Sequence, residues 1–465
     1  MSNPPAGSER PGSSDDFSNA MPLTTKIANL VISVVLIAIA ASAIAAAAMA
    51  PLHAQTTVPN GPYGDNDSIA SLRTYEQLIA ALKQSAHTSG SAMTYATLPW
   101  KSNGGREIPY VVVGNGPTAA LIVAQQHGDE METSDSAVNL ARTLANSSMA
   151  SKAIRNALTV VIVPRVNVDG FDGRLADGTL ITDSQGRTPP WRQNYDRTFS
   201  APSPSPVPAF YQRGRGYDIN RYHAFRPECP LDNPNYPNIT TGVVSCETEG
   251  VDSTKPYTLA DLAKGNPVPE AKNVRWLADK YKPAITLDLH HQGTRVNDGQ
   301  MVTASTLWPT AVGTATRLQA VDPNAMARFM AGQTMAKRVV VIIAQTLAKY
   351  PYADLSLYPG GTEPGISRNA YGLLGSGSVL LELRGGIGTK SGGYIQKIGY
   401  HASYQVLHEL ARDPGLTGFD PNQAEVLVLP ANGQPRPGQG ESEPITDGTV
   451  PEGEVDGHDD HHLGN

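Results

Sequence analysis

Apolar segments alternate with segments of helical periodicity, and this alternation constrains the fold more than any other feature of the chain. Strands are predicted at 106–114, 118–126, 158–167, 284–293 and 377–386. Helices are predicted at 74–86, 135–145, 268–281, 327–350 and 403–413. Because strands and helices alternate, the chain is expected to form an α/β protein with helices on both faces of its sheet.

Polar residues follow several of the apolar strands. Histidine or glutamate occurs where 118–126, 284–293 and 377–386 end. Open α/β sheets bind their ligands at the carboxyl ends of strands, so a functional site is predicted at this edge. Residues 171–260 are rich in Pro, Gly and Asn. They are expected to form long loops that line the site.

The overall charge argues against one class of partner. The chain has 465 residues and a formal net charge of −7, and it contains no basic stripe of the kind that binds nucleic acid. No nucleic-acid partner is therefore expected. Apolar residues make up 40% of the chain, which is enough for a globular core once the polar tails are set aside.

The N-terminal region contains an uncharged apolar segment at 27–50, preceded by Lys26. It predicts an export signal with a cleavage site after Ala54, and translation from Met21 would give the signal ordinary proportions. The segment is also long enough to span a bilayer, so an uncleaved anchor remains the alternative. We expect residues 1–54 to be this signal peptide or anchor and 55–68 a linker, which makes the protein periplasmic, secreted or membrane-anchored.

Two further predictions concern stability and the C-terminus. Cys229 and Cys246 are the two cysteines, and in an exported protein they are expected to form a disulfide worth roughly 3 kcal/mol; two unpaired thiols are the alternative. Residues 416–465 are expected to be a mostly disordered acidic tail, because the chain beyond about 430 has almost no apolar residues. The catalytic domain is then predicted at 69–415.

A metal site is suggested by the segment "LIVAQQHGDEMETSDSAVNLA" (121–141). It places His127 and Glu130 three residues apart, where a strand turns into a helix. A catalytic zinc takes three protein ligands and keeps one position open, and two histidines with one glutamate form a known set. His290 in "TLDLHHQG" supplies a third ligand, whereas His291 should point to the opposite face of a regular strand.

Other charged residues provide the groups that metal-dependent hydrolysis requires. Glu382 ends the apolar strand "VLLELRGG", where a carboxylate is costly unless it has a role or a partner such as Arg384. Arg192 in "PPWRQN" and Arg221 beside Asn220 in "RGYDINRYHAF" are candidates to bind a carboxylate and to stabilise an oxyanion. By themselves, such loop arginines are most often surface charges.

Taken in order, these motifs resemble the zinc metallocarboxypeptidases, of the carboxypeptidase A/B-like kind, as an exported bacterial member. The resemblance covers roughly residues 70–415. It is carried by His127-x-x-Glu130 and by "PRVNVDG" (164–170), "WRQN" (191–194), "DINR" (218–221), "DLH" (288–290) and "ELR" (382–384). The resemblance implies an α/β/α sandwich around a mixed, mostly parallel twisted sheet and a single zinc ion.

The resemblance also implies a role for each matching residue. His127, Glu130 and His290 match the zinc ligands, and Asp218 matches the carboxylate that orients the first zinc histidine. Glu382 matches the general base that activates the water on the metal, and Arg192 the arginine that stabilises the oxyanion. The remaining matches concern the substrate and are Asn220 and Arg221, which grip its terminal carboxylate, and Tyr358, which matches the tyrosine that caps it.

The sequence departs from the family's usual pattern at two motifs. Asn167-Val168-Asp169-Gly170 stands where Asn-Pro-Asp-Gly is common, and Asn220-Arg221-Tyr222-His223 where Asn-Arg-Asn-Phe is usual. The second change keeps the carboxylate grip and alters its neighbours.

Substrate preference is predicted from "PGGTEPG" (359–365), which places Glu363 where the family determines its preference. An acidic pocket floor would favour C-terminal Lys or Arg, or diaminopimelate in cell-wall peptides. The expected substrate is thus a peptide with a free C-terminal carboxylate.

Three other functions remain open on the sequence. An N-acyl amino-acid deacylase related to aspartoacylase shares the His-x-x-Glu and Asp-x-Asn-Arg motifs, and a cell-wall peptide hydrolase would use the same zinc site. A non-catalytic binding protein would be expected to have lost a ligand or the base, whereas His127, Glu130, His290 and Glu382 are all present.

Overall fold

The structure of the protein is a computed structural model, and it describes residues 72–182, 186, 188–196, 216–223, 268–292, 295–297, 300–319, 322–350, 354–384 and 391–429. The strands in this part of the chain are β1 (Met93–Thr97), β2 (Pro109–Val113), β3 (Thr118–Ala124), β4 (Leu158–Val163), β5 (Ile285–Gln292), β6 (Arg295–Asn297), β7 (Gln300–Leu307), β8 (Asp354–Leu357) and β9 (Gly377–Arg384). The helices are α1 (Tyr75–Ser89), α2 (Met131–Ala145), α3 (Met149–Ala157), α4 (Val168–Asp172), α5 (Pro269–Tyr281), α6 (Val312–Leu318), α7 (Ala325–Leu347), α8 (Ser367–Leu373), α9 (Ser391–Arg412) and α10 (Ala424–Leu427).

The strands form one mixed sheet in the order β1-β2-β4-β3-β5-β9-β7-β6, and β8 pairs with β7. The four central strands β4, β3, β5 and β9 run parallel. Antiparallel pairing occurs towards both sides, in β1–β2, β2–β4, β7–β9 and β6–β7. The predicted α/β fold with a mixed sheet and a parallel centre is confirmed.

Helices cover both faces of the sheet, so the strands contribute to two cores. Along β3, Ala120 and Ile122 belong to the first core, which α1, α2, α7 and α9 cover. Leu121 and Val123 belong to the second core, which α5 covers. A strand whose alternate residues enter two cores has to be apolar throughout, which explains the uninterrupted apolar segments of the sequence.

Local sequence signals explain where helices begin. The hydroxyl of Thr74 accepts a hydrogen bond from the backbone of Gln77, whose side chain accepts one from Thr74 in return, and this capping box starts α1. Leu78 and Leu82 lie four residues apart on that helix and are fully buried. Pro269 occupies the first turn of α5, where the missing backbone donor has no cost.

The sequence-based element assignment identified the central strands and the long helices but not β1, β6, β7 and β8. These four strands lie outside the parallel centre. In β7, "QMVTASTL" mixes hydroxyl side chains with apolar ones, so it lacks the apolar run that marked β3, β4 and β9. The described chain also continues past 415, with Leu416, Ala424 and Val428 packed into the first core.

Several predictions concern residues outside the described part of the chain. These are the signal or anchor at 1–54, the linker at 55–68, the Cys229–Cys246 disulfide and the tail beyond 430. Within the described residues, no helix combines the length and hydropathy that crossing a bilayer would require.

Candidate active site

The site begins where β3 leaves the sheet. Gln125 has φ of +51°, a left-handed conformation that is costly for a residue with a Cβ. Its amide side chain offsets this cost, because it donates to the carbonyl of Gly128 and accepts from Arg165 at 2.6 Å. The turn follows directly on the end of β3 and leads into Gln126 and His127.

Close packing of two backbones fixes this turn. A Cβ on Gly128 would lie 2.2 Å from the carbonyl carbon of Gly170, so only glycine fits there. Gly170 belongs to the "NVDG" turn, where Asn167 accepts from its backbone amide and donates to the carbonyls of Arg192 and Gln193. The "NVDG" turn therefore positions the loop that carries Arg192 beside the loop that carries His127.

Three side chains converge where β3 and β5 end. The Nδ1 of His127 lies 2.6 Å from Oε1 of Glu130, and the Nδ1 of His290 lies 2.9 Å from its Oε2. The two Nδ1 atoms are 3.2 Å apart. Tetrahedral zinc with bonds of about 2.0–2.1 Å to nitrogen places two such ligands about 3.3 Å apart. All three side chains are buried.

A carboxylate holds the other nitrogen of each histidine. Nε2 of His127 lies 3.1 Å from Oδ1 of Asp218, and Nε2 of His290 lies 3.0 Å from Oδ1 of Asp288. A carboxylate accepts hydrogen bonds, so each Nε2 carries the proton and each Nδ1 presents its lone pair to the other ligands. The arrangement suits a metal ion bound by two Nδ1 atoms and one carboxylate.

The electrostatics of the site favour ionised carboxylates. Burial acts to raise the pKa of Glu130, but without a metal ion His127 and His290 donate to the carboxylate and hold that pKa well below its usual range, a role that a bound cation would take over. Burial likewise opposes ionisation of Asp218, yet Arg192, His127 and Arg221 keep its pKa well below the usual range. Both groups are therefore anionic at neutral pH, as metal binding and histidine orientation require.

The loops of Arg192 and Asp218 are joined side by side. Nε of Arg192 donates to Oδ2 of Asp218 at 2.9 Å. Asn194 exchanges two hydrogen bonds with Tyr217, through its backbone amide and its side-chain oxygen, and donates to the buried carboxyl of Glu270 at 2.8 Å. Burial and then the negative charge of Asp169 raise the pKa of Glu270 to about 8.

The sheet register brings Glu382 next to the metal ligands. Residue 382 on β9 is the direct neighbour of His290 on β5, so the two side chains leave the same face about 5 Å apart. Glu382 is buried. His291 faces the first core instead, on the opposite side of β5 from His290, and its Nδ1 lies 3.3 Å from Glu132.

Asn220 and Arg221 form a short 3-10 turn beside the ligands. The amide oxygen of Asn220 accepts from the backbone of Ser367, and its Nδ2 lies 3.4 Å from Nε2 of His290. Because that Nε2 already donates to Asp288, it does not accept from Asn220. The Nδ2 of Asn220 can therefore donate to a ligand bound in the site. Arg221 is held near Asp218 at 3.9 Å.

The predicted specificity residues lie on the segment after β8. Tyr358 is buried against Leu307 and Leu380, the latter two residues before Glu382. Glu363 is partly exposed, and its carboxylate lies against Gly361. The fully buried guanidinium of Arg368 interacts electrostatically with Glu363 and then Tyr358, while burial lowers the pKa of Arg368 to about 10.

Several residues of the site were not singled out from the sequence. Asp288 was visible only as part of the "DLH" motif, although a carboxylate inside the apolar strand "ITLDLHH" is a signal of function. The others are uncharged and distant in sequence, so nothing in the chain connects them in advance. They are Gln126, Asn194, His223, Ser367 and Tyr371.

This donor set defines a class of protein, the zinc-dependent hydrolases with two histidines and one glutamate as ligands. His127, Glu130 and His290 offer ligand atoms that all lie within 4.8 Å of one another, and within the described residues they form the one such group. The combination of imidazole and carboxylate ligands fits zinc.

Comparison with known families makes the class specific. Residues 78–310 match the family described as zinc carboxypeptidase, which is half of the chain. The chain belongs to this zinc-dependent family and is a zinc carboxypeptidase, a hydrolase of peptide bonds. A search among curated proteins finds no significant match.

Solved structures with a similar fold come from several organisms. Carboxypeptidase A from Helicoverpa armigera is 16% identical with a TM-score of 0.45, and 74% of this chain and 76% of that one are covered. The metallo-carboxypeptidase from Pseudomonas aeruginosa, in complex with (2-guanidinoethylmercapto)succinic acid, is 15% identical with a TM-score of 0.43, covering 74% and 70%. Bovine thrombin-activatable fibrinolysis inhibitor is 13% identical with a TM-score of 0.46, covering 75% and 98%.

Proposed function

We propose that the protein removes single residues from the free C-termini of peptides outside the cytoplasm. The observation that carries the proposal is the register that places Glu382 beside His290, next to the three convergent ligands. Export is supported by the apolar segment at 27–50. When bound, zinc supplies a Lewis acid that polarises the scissile carbonyl and acidifies water.

Recognition of the free carboxylate is assigned to Asn220 and Arg221. Both side chains belong to one short turn anchored to Asp218, whose Oδ1 accepts from the backbone amide of Asn220 at 2.9 Å. An amide donor and a guanidinium together match the two oxygens of a carboxylate. The proximity of Asn220 to His290 and of Arg221 to Asp218 supports binding of the substrate's C-terminal residue beside the metal ligands.

Proton transfer is assigned to Glu382 and charge stabilisation to Arg192. Glu382 accepts a proton from the attacking water and delivers it to the nitrogen of the leaving amino acid. Arg192 stabilises the oxyanion that forms on the scissile carbonyl. Its hydrogen bond to Asp218 supports this role, since that bond fixes the guanidinium close to His127. Tyr358 is assigned to cover the bound residue, which its position near Leu380 supports.

Glu363 is assigned to give a preference for C-terminal Lys or Arg. Glu363 is partly exposed and lies on the segment between Tyr358 and α8. This segment is close to the Asn220–Arg221 turn, because His223 donates its backbone amide to the carbonyl of Gly365. The buried guanidinium of Arg368 interacts electrostatically with Glu363. The preference is therefore expected to be modest, because a neighbouring cation weakens the attraction for a basic side chain.

The proposal is tested first with Glu382→Gln. This change keeps the shape of the side chain and removes the base, so kcat should fall by about 10²–10⁴ while zinc stoichiometry by elemental analysis stays at one ion. Glu425→Gln, an exposed change on α10, serves as the matched control. Activity within tenfold of the unsubstituted protein would remove Glu382 from this role.

A peptide panel distinguishes the proposed reaction from its rivals. Peptides with free C-termini should lose single residues, whereas the same peptides with C-terminal amides should remain intact, because the amides cannot pair with Arg221. Cleavage of N-acyl amino acids in place of peptides would favour the deacylase. Cleavage only at internal bonds of cell-wall peptides would favour a cell-wall hydrolase, and in either case the exopeptidase proposal fails.

A further inference from the structure

A chain of buried polar groups extends from the metal ligand His290 to a tyrosine on α8. Gln126 donates through Nε2 to Oδ1 of Asp288 at 2.6 Å, the same oxygen that holds His290. The Oε1 of Gln126 pairs with Nε2 of His223. The Nδ1 of His223 then lies 2.7 Å from the hydroxyl of Tyr371. Gln126, Asp288, His223 and Tyr371 are all fully buried.

The direction of every hydrogen bond follows from Asp288. A carboxylate only accepts, so Gln126 must present its amide nitrogen to Asp288 and its oxygen to His223. That oxygen requires a proton on Nε2 of His223, which leaves Nδ1 to accept from the hydroxyl of Tyr371. Burial lowers the pKa of His223 to about 4, so the imidazole is neutral as this pattern requires.

The second oxygen of Asp288 is also engaged, because the hydroxyl of Ser367 donates to it. Asp288 thus accepts from three donors. Gln126 and His290 share Oδ1, and Ser367 donates to Oδ2. A buried carboxylate keeps its charge and orientation only while such donors stay in place. Asp288 sets which end of the Gln126 amide faces it, and the donor of His223 holds the opposite end, which keeps the amide aligned with Oδ1 of Asp288.

We propose that His223 is a positioning residue for zinc, which fixes the amide of Gln126 and through it the Asp288–His290 pair. The proposal rests on the zinc site and does not depend on which substrate is hydrolysed. The side chain of His223 hydrogen-bonds to Gln126 and Tyr371. It therefore reaches His290 through two intervening side chains, those of Gln126 and Asp288.

The test uses two amides of different length in place of His223. In His223→Gln the amide nitrogen reaches the place of Nε2 and still donates to Gln126. In His223→Asn the shorter amide reaches only the place of Nδ1, so the bond to Gln126 is lost. The full chain is stripped with a chelator, and zinc affinity is measured by competition with a chelating dye. The absorption spectrum of the Co²⁺-loaded protein reports the ligand geometry.

We expect zinc affinity to fall about tenfold or more in His223→Asn and to stay within about threefold in His223→Gln. The Co²⁺ spectrum should change in the first variant and not in the second. His401→Asn, the same substitution on α9 outside this group of residues, should leave both unchanged. Equal affinities in the two His223 variants, or an unchanged affinity in His223→Asn, would overturn the proposal.

Gln126→Leu keeps the proposal testable if His223→Asn does not fold. It removes the amide that connects His223 with Asp288, so affinity should fall at least as much as in His223→Asn. A second change at His223 should then add little, because the connection is already broken. Unchanged zinc affinity in Gln126→Leu, or independent additive losses in the double variant, would contradict the assignment.

Discussion

The two zinc histidines are oriented in the same way by opposite kinds of surroundings. Asp218, which holds His127, is paired with Arg192 at 2.9 Å and lies 3.9 Å from Arg221. Asp288, which holds His290, has neutral donors besides its histidine, the amide of Gln126 and the hydroxyl of Ser367. We call Asp218 with Arg192 and Arg221 the cationic half of the site. We call Asp288 with its uncharged donors Gln126 and Ser367 the neutral half.

The difference corresponds to what each half has to do. The cationic half supplies the proposed oxyanion and carboxylate contacts, so the same Asp218 that orients His127 also holds Arg192 and the turn of Asn220. The neutral half has no such contact to make, apart from the proposed base Glu382 on the neighbouring strand. A substitution at Asp218 is thus expected to damage chemistry as well as metal binding, and one at Asp288 metal binding alone.

The largest effect is predicted for Asp218→Asn. The variant loses the negative charge and one of the two acceptor oxygens, so it can no longer accept from both His127 and Arg192. We therefore expect kcat/KM to fall by about 10³ and to stay low at saturating zinc. Steady-state kinetics across a zinc titration measures this, with Asp177→Asn in an exposed turn as the control. If excess zinc restores activity, the cationic half acts on the metal alone and the contrast between the halves is lost.

A smaller and different effect is predicted for Asp288→Asn. Zinc affinity should fall about 10–100-fold because His290 loses its anionic partner, while KM for a peptide changes little. At saturating zinc, most of the activity should return. Kinetics and dye competition on the same preparation separate the two constants. A loss of kcat that persists at saturating zinc would place Asp288 with Asp218 and remove the distinction.

A buried acid also makes the cationic half sensitive to pH. Burial and then Asp169 raise the pKa of Glu270 to about 8, and Glu270 holds Asn194 behind Arg192. The folded state therefore keeps a proton that the unfolded chain, with a pKa of about 4.3, has lost. The stabilisation is complete below about pH 4.3 and is lost as pH rises through 8.

Glu270→Gln tests this dependence, because glutamine accepts from Asn194 and does not ionise. The measurement uses metal-free protein prepared with a chelator. Between pH 5 and pH 8.5, the Tm of Glu270→Gln should decline less than the Tm of the unsubstituted protein. Glu425→Gln should follow the original curve. If both Glu270→Gln and the original protein decline in parallel, Glu270 does not titrate in this range.

The sequence predicted the parallel centre of the sheet and the metal triad for one physical reason. Strands buried on both faces must be apolar, so the polar residues that end them, such as His127 and His290, stand out. Glu130 follows by spacing within one turn. The neutral network could not be predicted, because Gln126, His223 and Tyr371 are ordinary residues whose contact depends on the docking of separate segments.

The smallest effect is predicted for Glu363→Gln. Glu363 is partly exposed and interacts electrostatically with Arg368, so its attraction for a basic side chain should be worth about 1 kcal/mol or less. The ratio of kcat/KM for a C-terminal Lys peptide over a Leu peptide should fall by about fivefold at most. Arg368→Gln should shift the same ratio the other way, since it removes the opposing cation. If neither change alters the Lys-to-Leu ratio, the segment after β8 does not determine substrate preference. The preference would then have to come from the cationic half of the site.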